Sequence, residues 1–505
     1  MSDKEEYQSS SEDVSSQHEA EEECVDDQIP VASWQNSDDN TPPVPPSPAA
    51  HTVPSPPVEP EVSNIIAEFE KAAMEHITDE EYWDNLMSRA KEMKLIPDPP
   101  LQFNSKDTDE RTLFGAVKAN KINIVEELLE EGEDPNQQNE NGTYAMHFAC
   151  IKNFLTVAKL LKQHGAAVDV QNHAGLTPLH CAVDVGGSMK LCVWLVANGA
   201  EVDAASGTGK TPLHCTCLQG FTDIAQWLIK KGANPVAQTT DGSFPVHFAC
   251  HRGSMDLVDL LLEHGASLDV VNHNGETPFM WACDRGHLEL VTALKEKGVN
   301  VFARCNLGHT ALHFAALNGH IDVVIYLVQS CDLDVNATDN DMGTALHCAC
   351  QRGHLEVAMW LAERAALNIV TSSRVTLLHS ACDGGNIQIV EMLCDKGLDP
   401  GAKDIDMRTP LHYAAYRGHT AVVEWFHNNF ENVDLLMRVS NKRGSNCLHV
   451  ACQKGHLELV KYLIACGVPI DCQNNSGNTP LHMASENGHI ALAKWLADHG
   501  AKLWV

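Results

Sequence analysis

Eighteen cysteines and 27 histidines in 505 residues supply enough soft ligands and nucleophiles for zinc binding, thiol chemistry or imidazole acid–base catalysis. Their spacing argues against all three. Cys150, Cys217, Cys250, Cys283, Cys350, Cys382 and Cys452 each fall three residues after one position of a recurring pattern, and other copies of the pattern place Ala316, Ala415 or Ser485 there. A position that takes alanine, serine and cysteine selects for size, so these cysteines read as small core residues. Ten of the histidines mark the pattern itself and six more follow a glycine. A ladder with one such residue per unit holds like side chains about 10 Å apart, too far to share a zinc ion. Disulfides are not expected in a reducing cytosol.

A phosphate-binding loop is the other chemistry that the sequence suggests. Ala204 to Thr211 reads Ala-x-x-x-x-Gly-Lys-Thr, a permissive match to the pattern whose backbone amides cradle phosphates after a strand. Here a helix is expected to precede it, and Thr211-Pro212-Leu213-His214 belongs to the recurring pattern, so Gly209 and Lys210 read as turn residues. No nucleophile, acid–base pair, cofactor loop or metal set stands outside the pattern. The expectation is a chain that is not an enzyme, with no catalytic, cofactor-binding or metal-ligating residues.

The pattern is built on Thr409-Pro410-Leu411-His412-Tyr413-Ala414. With the histidine or its replacement as the mark, copies fall at Gly115, His147, His180, His214, His247, Met280, His313, His347, His379, His412, His449 and His482. Successive differences are 32, 33, 34, 33, 33, 33, 34, 32, 33, 37 and 33, the regularity of a solenoid. Each unit reads as two short helices. In the unit from Gly308 to Val335, Thr310 caps the first helix with its hydroxyl, and sister units such as Thr177-Pro178 add a proline at the first helical position. His313 stands three residues past the cap, from where it reaches back to the helix start. Gly319 ends that helix, His320 opens the next, and Val323, Val324, Leu327 and Val328 recur at helical spacing.

Thr-Pro-Leu-His-x-Ala, the Gly-His pairs (286–287, 319–320, 353–354, 418–419, 455–456, 488–489) and tails such as Gly199-Ala200-Glu201-Val202-Asp203 together resemble the ankyrin repeat, over roughly residues 108 to 505. The resemblance implies an all-α solenoid of about twelve L-shaped units, each a pair of antiparallel helices with a hairpin-like loop projecting sideways. It also implies a concave side that grips another protein. Tyr144 and Phe244 at the cap, Met280 for histidine and Gly115 in the first unit depart from the family pattern and are expected to loosen their units.

Before the repeats the composition changes twice. Residues 1 to 40 carry thirteen acidic groups against Lys4 alone, too little apolar surface to offset ordering entropy, and 41 to 60 are proline-rich, so 1–60 is read as a disordered acidic and Pro-rich tail. Ser9, Ser10 and Ser16 have the acidic spacing that resembles casein-kinase-2 targets, and Ser47 and Ser55 precede prolines; all five are candidate phosphosites. Residues 61–100 show helical spacing through Ile66, Phe69, Ala73 and Ile77 and again through Tyr82, Leu86, Ala90 and Met93, read as a helical segment that caps the array or docks a partner. Residues 101–505 form the array. A net charge of −33 disfavours nucleic acid and acidic membrane surfaces, and no apolar run reaches 18 residues. No leader is read at Met1, so the cytoplasm is expected, with the nucleus as alternative.

The binding site is expected where the resemblance places the inner surface of the first helices. Lys152, Arg252, Arg285, Arg352, Arg417 and Lys454 recur two residues after the small ladder position, with His251 and Tyr416 beside them, and would form an anion-reading ridge for an extended acidic segment. The chain's own tail, through Asp3, Glu6, Glu12, Glu19 and Glu22, is one such segment. The function expected is a non-enzymatic protein-binding scaffold or adaptor. The alternative is a substrate-recognition or regulatory subunit of a larger enzyme complex such as a ubiquitin ligase or phosphatase. Two local expectations remain: that the extra residues between His427 and Asp434 form a surface loop, or else a hinge or partner contact, and that Trp504 and Val505 fold back, or a partner packs, over the last repeat.

Overall fold

The computed structural model describes residues 111–140, 142–184, 187–431 and 433–502. The tail, the segment 61–100, the five candidate phosphosites, Trp504 and Val505 lie outside them. The described residues form 25 helices, with extended pairing limited among them to two isolated bridges, Gln138 with Tyr144 and Thr338 with Thr344.

Twenty-four of the helices make twelve pairs in register with the sequence pattern. The first four pairs are α1 (Leu113–Lys118) with α2 (Ile122–Glu130), α3 (Ala145–Ile151) with α4 (Leu155–Gln163), α5 (Pro178–Asp184) with α6 (Met189–Ala197), and α7 (Pro212–Gln219) with α8 (Thr222–Lys230). The next four are α9 (Pro245–Arg252) with α10 (Met255–Glu263), α11 (Pro278–Asp284) with α12 (Leu288–Glu296), α13 (Ala311–Leu317) with α14 (Ile321–Gln329), and α15 (Ala345–Arg352) with α16 (Leu355–Ala362). After α17 (Leu377–Gly384) with α18 (Ile387–Asp395) and α19 (Pro410–Arg417) with α20 (Thr420–Asn429) comes an unpaired short helix, α21 (Val433–Arg438). The last pairs are α22 (Cys447–Lys454) with α23 (Leu457–Ala465) and α24 (Pro480–Glu486) with α25 (Ile490–Asp498). The lengthened period after His412 is thus partly helical, where a loop or hinge was expected.

Each first helix packs on the first helix of the next pair, from α1 on α3 to α22 on α24, and second helices form a second layer. Small side chains permit the close approach. Ala249, Ala315, Ala349, Ala381, Ala414 and Ala451 are fully buried, as are Cys150, Cys217, Cys250, Cys283, Cys350, Cys382 and Cys452. Burial pushes these seven thiols well above the ordinary range, which makes them inert packing residues. The apolar residue before each mark is leucine in most repeats, and Leu179, Leu213 and Leu411 are buried at zero exposure, each worth about 1.5–3 kcal/mol.

Histidines join the repeats in two directions. The Nδ1 of His412 accepts the Thr409 amide (3.1 Å) and hydroxyl (2.9 Å), and its Nε2 faces the Ser445 carbonyl of the next repeat at 3.2 Å. With Nδ1 accepting, the proton sits on Nε2 and the neutral ring donates forward. His147, His180, His247, His313, His379 and His449 make the same forward bond at 2.8 to 3.3 Å. At Thr310 the amide (3.2 Å) and hydroxyl (2.9 Å) both meet His313 Nδ1, the reach back to the helix start expected of that histidine.

The second ladder runs backward. His287 donates from Nε2 to the His251 carbonyl of the preceding repeat (2.9 Å), and His320, His354, His419, His456 and His489 do likewise to Asp284, Leu317, Asp383, Tyr416 and Gln453. Asn386 takes this place once, with its side-chain amide on Gly353 O at 3.0 Å. Every joint from repeat five to repeat twelve carries this bond. In repeats two to five the donor position is Phe154, Ser188, Phe221 and Ser254 instead.

Three of the four departures from the pattern, Tyr144, Phe244 and Met280, make contacts of their own at the helix start. The Tyr144 ring stacks on His147 (centroids 5.6 Å apart) and the Phe244 ring on His247 (5.9 Å), while the amides of both cap residues still donate to the imidazoles. At the unit without histidine, Met280 Sδ takes the Thr277 amide at 3.5 Å. Its repeat is still held to the next by His320.

Candidate protein-binding face

The ends of the first helices and the turns that precede them form one face of the array. The six basic residues of the expected ridge stand at or just past the ends of first helices. Arg252, Arg352, Arg417 and Lys454 end α9, α15, α19 and α22, and Lys152 and Arg285 follow α3 and α11 directly. Arg285 is paired with Asp284 (3.5 Å), and Arg417 forks onto Asp383 of the preceding repeat at 2.9 and 3.3 Å. Lys454 Nζ lies 4.4 Å from the centre of the Tyr416 ring, which Arg417 also flanks at 5.7 Å. Among the described residues Lys152, Arg252 and Arg352 make no ion pair. The eight expected residues thus divide: His251, Arg252 and Arg285 gather in repeats five and six, Tyr416, Arg417 and Lys454 in repeats ten and eleven, and Lys152 and Arg352 stand apart.

His251 and Arg285 of the first group border a groove of about 410 Å³ across repeats four to seven, and Arg252 follows His251 just outside its lining. Leu218, Phe248, Trp281 and Phe314 form its apolar walls, with Lys210, His251, Glu276, Asp284 and Arg285 among them. Phe248 and Trp281 meet edge to face at 5.4 Å, and His251 packs on the same indole at 5.9 Å. The Trp281 indole N–H donates to Glu276 Oε2 (2.8 Å), which also accepts the Asn272 amide (2.8 Å), so the tryptophan is fixed. Burial, then Arg285, His287 and Lys210, push His251 down to about 4, so it faces the groove uncharged at neutral pH. Burial also raises the Asp284 carboxyl against the pull of Arg285.

The aromatic walls are what the ridge reading missed. Phe248, Trp281 and Phe314 occupy the residue directly after the register mark in three successive repeats, where sister repeats place Cys181, Cys215, Cys348, Ser380 and Val450 but also Phe148 and Tyr413. A run of three aromatics at a variable position, between a usual histidine and a usual alanine, was the available signal. Lys210 is a turn residue as read, and it is also a wall: its Nζ lies 5.3 Å from the centre of the Phe248 ring.

The phosphate-loop match at Lys210 is turned to the chain itself. The Gly207 amide donates to Ala174 O (2.8 Å), Gly209 to Ser206 O (2.8 Å), Lys210 to Ser206 Oγ (3.1 Å) and Thr211 to His214 Nδ1 (3.1 Å). A loop whose amides close its own turns offers no cradle for a phosphate. Among the described residues no group of three His, Cys, Asp or Glu is placed to hold a metal ion, and no helix is long and apolar enough to cross a membrane.

The chain resembles known proteins through this array. A putative ankyrin repeat protein of Rickettsia felis is 34% identical over 114 residues, 20% of this chain and 50% of its own length. The NF-kappa-B inhibitor alpha of Homo sapiens is 30% identical over 111 residues, 22% of this chain and 35% of its own, and the RelA-associated inhibitor of Mus musculus is 31% identical over 86 residues, 17% and 10%. The chain spans half or less of the length of each of these relatives. The family profile described as "Ankyrin repeats (3 copies)" matches at 113–206, 185–272, 247–339, 331–404 and 411–505, nearly the whole of the described array. Spacing, helix pairs and profile agree, and the chain belongs to the ankyrin-repeat family.

Proposed function

We propose that the protein is a non-enzymatic scaffold or adaptor that holds a partner protein against its first-helix face. The observation that carries the reading is the aromatic groove of repeats four to seven: apolar walls fixed by internal hydrogen bonds, bordered by charged groups, are the composition of a protein-binding hot spot. The relatives named as inhibitors of NF-kappa-B and as associated with RelA act, by those names, on proteins, which supports the class of partner. The short alignments leave the partner itself to experiment. A photo-crosslinking residue placed at Leu218, on the groove, and at Lys230, on α8 of the same repeat, tests this in the full chain. Partner proteins are expected to cross-link from 218 and not from 230; equal cross-linking from both positions, or none from 218, removes the reading. A regulatory-subunit role rests on a recruitment segment in 61–96, outside the described residues. Co-purification of a ligase or phosphatase catalytic subunit that is lost on deleting 61–96 would favour it.

A further inference from the structure

By formal count the groove is neutral, with Lys210 and Arg285 against Glu276 and Asp284. Its charges are not equally satisfied. Glu276 takes both the Trp281 indole and the Asn272 amide on Oε2. Asp284 takes the Asn318 amide at 2.6 Å and the Arg285 guanidinium at 3.5 Å, which also occupies Arg285. The cations next to it have no such partners. Lys210 has a ring face but, among the described residues, no carboxylate, and Arg252 lies over Gly220 with Nε 2.8 Å from where a Cβ would stand, again without an ion pair. The acids are answered from within the fold and two cations are left over.

We infer that the groove takes an extended protein segment that carries an apolar or aromatic side chain flanked by carboxylates. The side chain enters between Phe248, Trp281 and Phe314, and the carboxylates pair with Lys210 and Arg252. This rests on the first-helix-face reading above and specifies its partner. The choice runs against the charge of the chain as a whole: at −33 it attracts basic segments from a distance, yet a basic segment in this groove meets Lys210 unanswered in the wall, Arg252 unanswered one residue beyond His251, and acids that already have donors. Long-range attraction and local recognition therefore favour opposite partners, and the local groups decide which one stays bound.

The test is polarisation of fluorescein-labelled peptides titrated with the full chain: one alternating leucine with glutamate, one leucine with lysine, one serine with glutamate. An extended alternating peptide puts its leucines on one face and its charges on the other. The leucine–glutamate probe is expected to bind best and to shift the emission of the tryptophans, with Trp281→Phe identifying the responding indole. Lys210→Glu plus Arg252→Glu is expected to lower its affinity about tenfold or more and to improve the leucine–lysine probe, while Lys230→Glu on the outer helix changes neither. Among the described residues the Lys210, Arg252 and Lys230 side chains make no hydrogen bond, and His180 bonds the backbone carbonyl of Lys210, so these variants keep that contact. Preference for the leucine–lysine probe in the unmutated chain, equal binding of serine–glutamate, absence of binding to any probe, or indifference to the reversals overturns the proposal. If cross-linking from position 218 survives such a result, the acidic–apolar chemistry falls and the first-helix reading stands; if it fails too, both fall.

Discussion

His287 lies on Gly253 of the preceding repeat: a Cβ built on that glycine would come 2.6 Å from the imidazole Cγ, and the same ring donates to the His251 carbonyl at 2.9 Å. Gly253 also has φ +82°, where a side chain is strained. Gly253→Ala is expected to cost about 2–3 kcal/mol, from about 1–2 of left-handed strain and about 1 for the displaced hydrogen bond. Gly199 separates the two effects. It has φ +99° but nothing within 4 Å of the added Cβ, so Gly199→Ala should cost only about 1–2 kcal/mol. Equal losses in urea denaturation would mean that the imidazole contributes nothing at this contact.

Acid should loosen the array through its register histidines. Burial pushes His214, His347 and His412 down to about 4, from 6.5 in the unfolded chain. Below 6.5 the unfolded state binds protons that the folded state refuses, so stability is complete above that pH and is lost as pH falls through it towards 4, by about 1.4 kcal/mol per pH unit for each histidine. The urea midpoint is expected to fall between about pH 7 and pH 5. A flat midpoint over that range, with imidazole resonances titrating near 6.5, would contradict the neutral-donor assignment.

Three successive turns break a rule that the other turns keep. Met342, Arg374 and Met407 hold φ of 63°, 61° and 62° where sister repeats place glycines such as Gly275 and Gly308. Met342 and Met407 are nearly half exposed, so their side chains return little packing. Met342→Gly and Met407→Gly are each expected to stabilise by up to about 1 kcal/mol, the relieved strain less the entropy that glycine adds to the unfolded chain. A lowered melting temperature in both would show that the exposed methionines pack on something in solution.

Cys466 packs at the edge of the core and keeps a close imidazole neighbour. Cys466 is partly exposed, and its Sγ lies 3.0 Å from His427 Nδ1 in the neighbouring repeat. Cys394 and Cys472, also partly exposed, are held above the ordinary thiol range, chiefly by burial. In a Cys24→Ser background, iodoacetamide at neutral pH should label Cys466 first, and His427→Ala should slow it. First labelling at Cys394 would sink the assignment.

How far the sequence could be read follows from where each interaction closes. Helix pairs, small ladder residues and the role of Leu411 or Cys250 are set within a unit, and the period exposed them. The forward donor role of His412 was half visible, because its contact with Thr409 is local while Ser445 lies in the next repeat. The backward bond from His287 to residue 251 spans 36 positions and leaves no local trace beyond the Gly-His pair. The groove escaped for a different reason: Phe248, Trp281 and Phe314 come from three different repeats, and nothing local to any one of them distinguishes a groove wall from a core aromatic. In the same way α21 looked like an insertion with no structure of its own.

The two histidine ladders are distributed unequally along the array. At the joint between repeats four and five, His214 Nε2 lacks a well-aligned acceptor and Ser254 stands where a backward donor would be. The joints after it carry the backward bonds of His287, His320 and their successors. The groove straddles this change, with Lys210 and Leu218 before the joint and Trp281 and Phe314 beyond it. A guest seated in the groove would therefore touch both sides of the joint that has neither histidine bond, and so serve there as the rivet that the sequence leaves out.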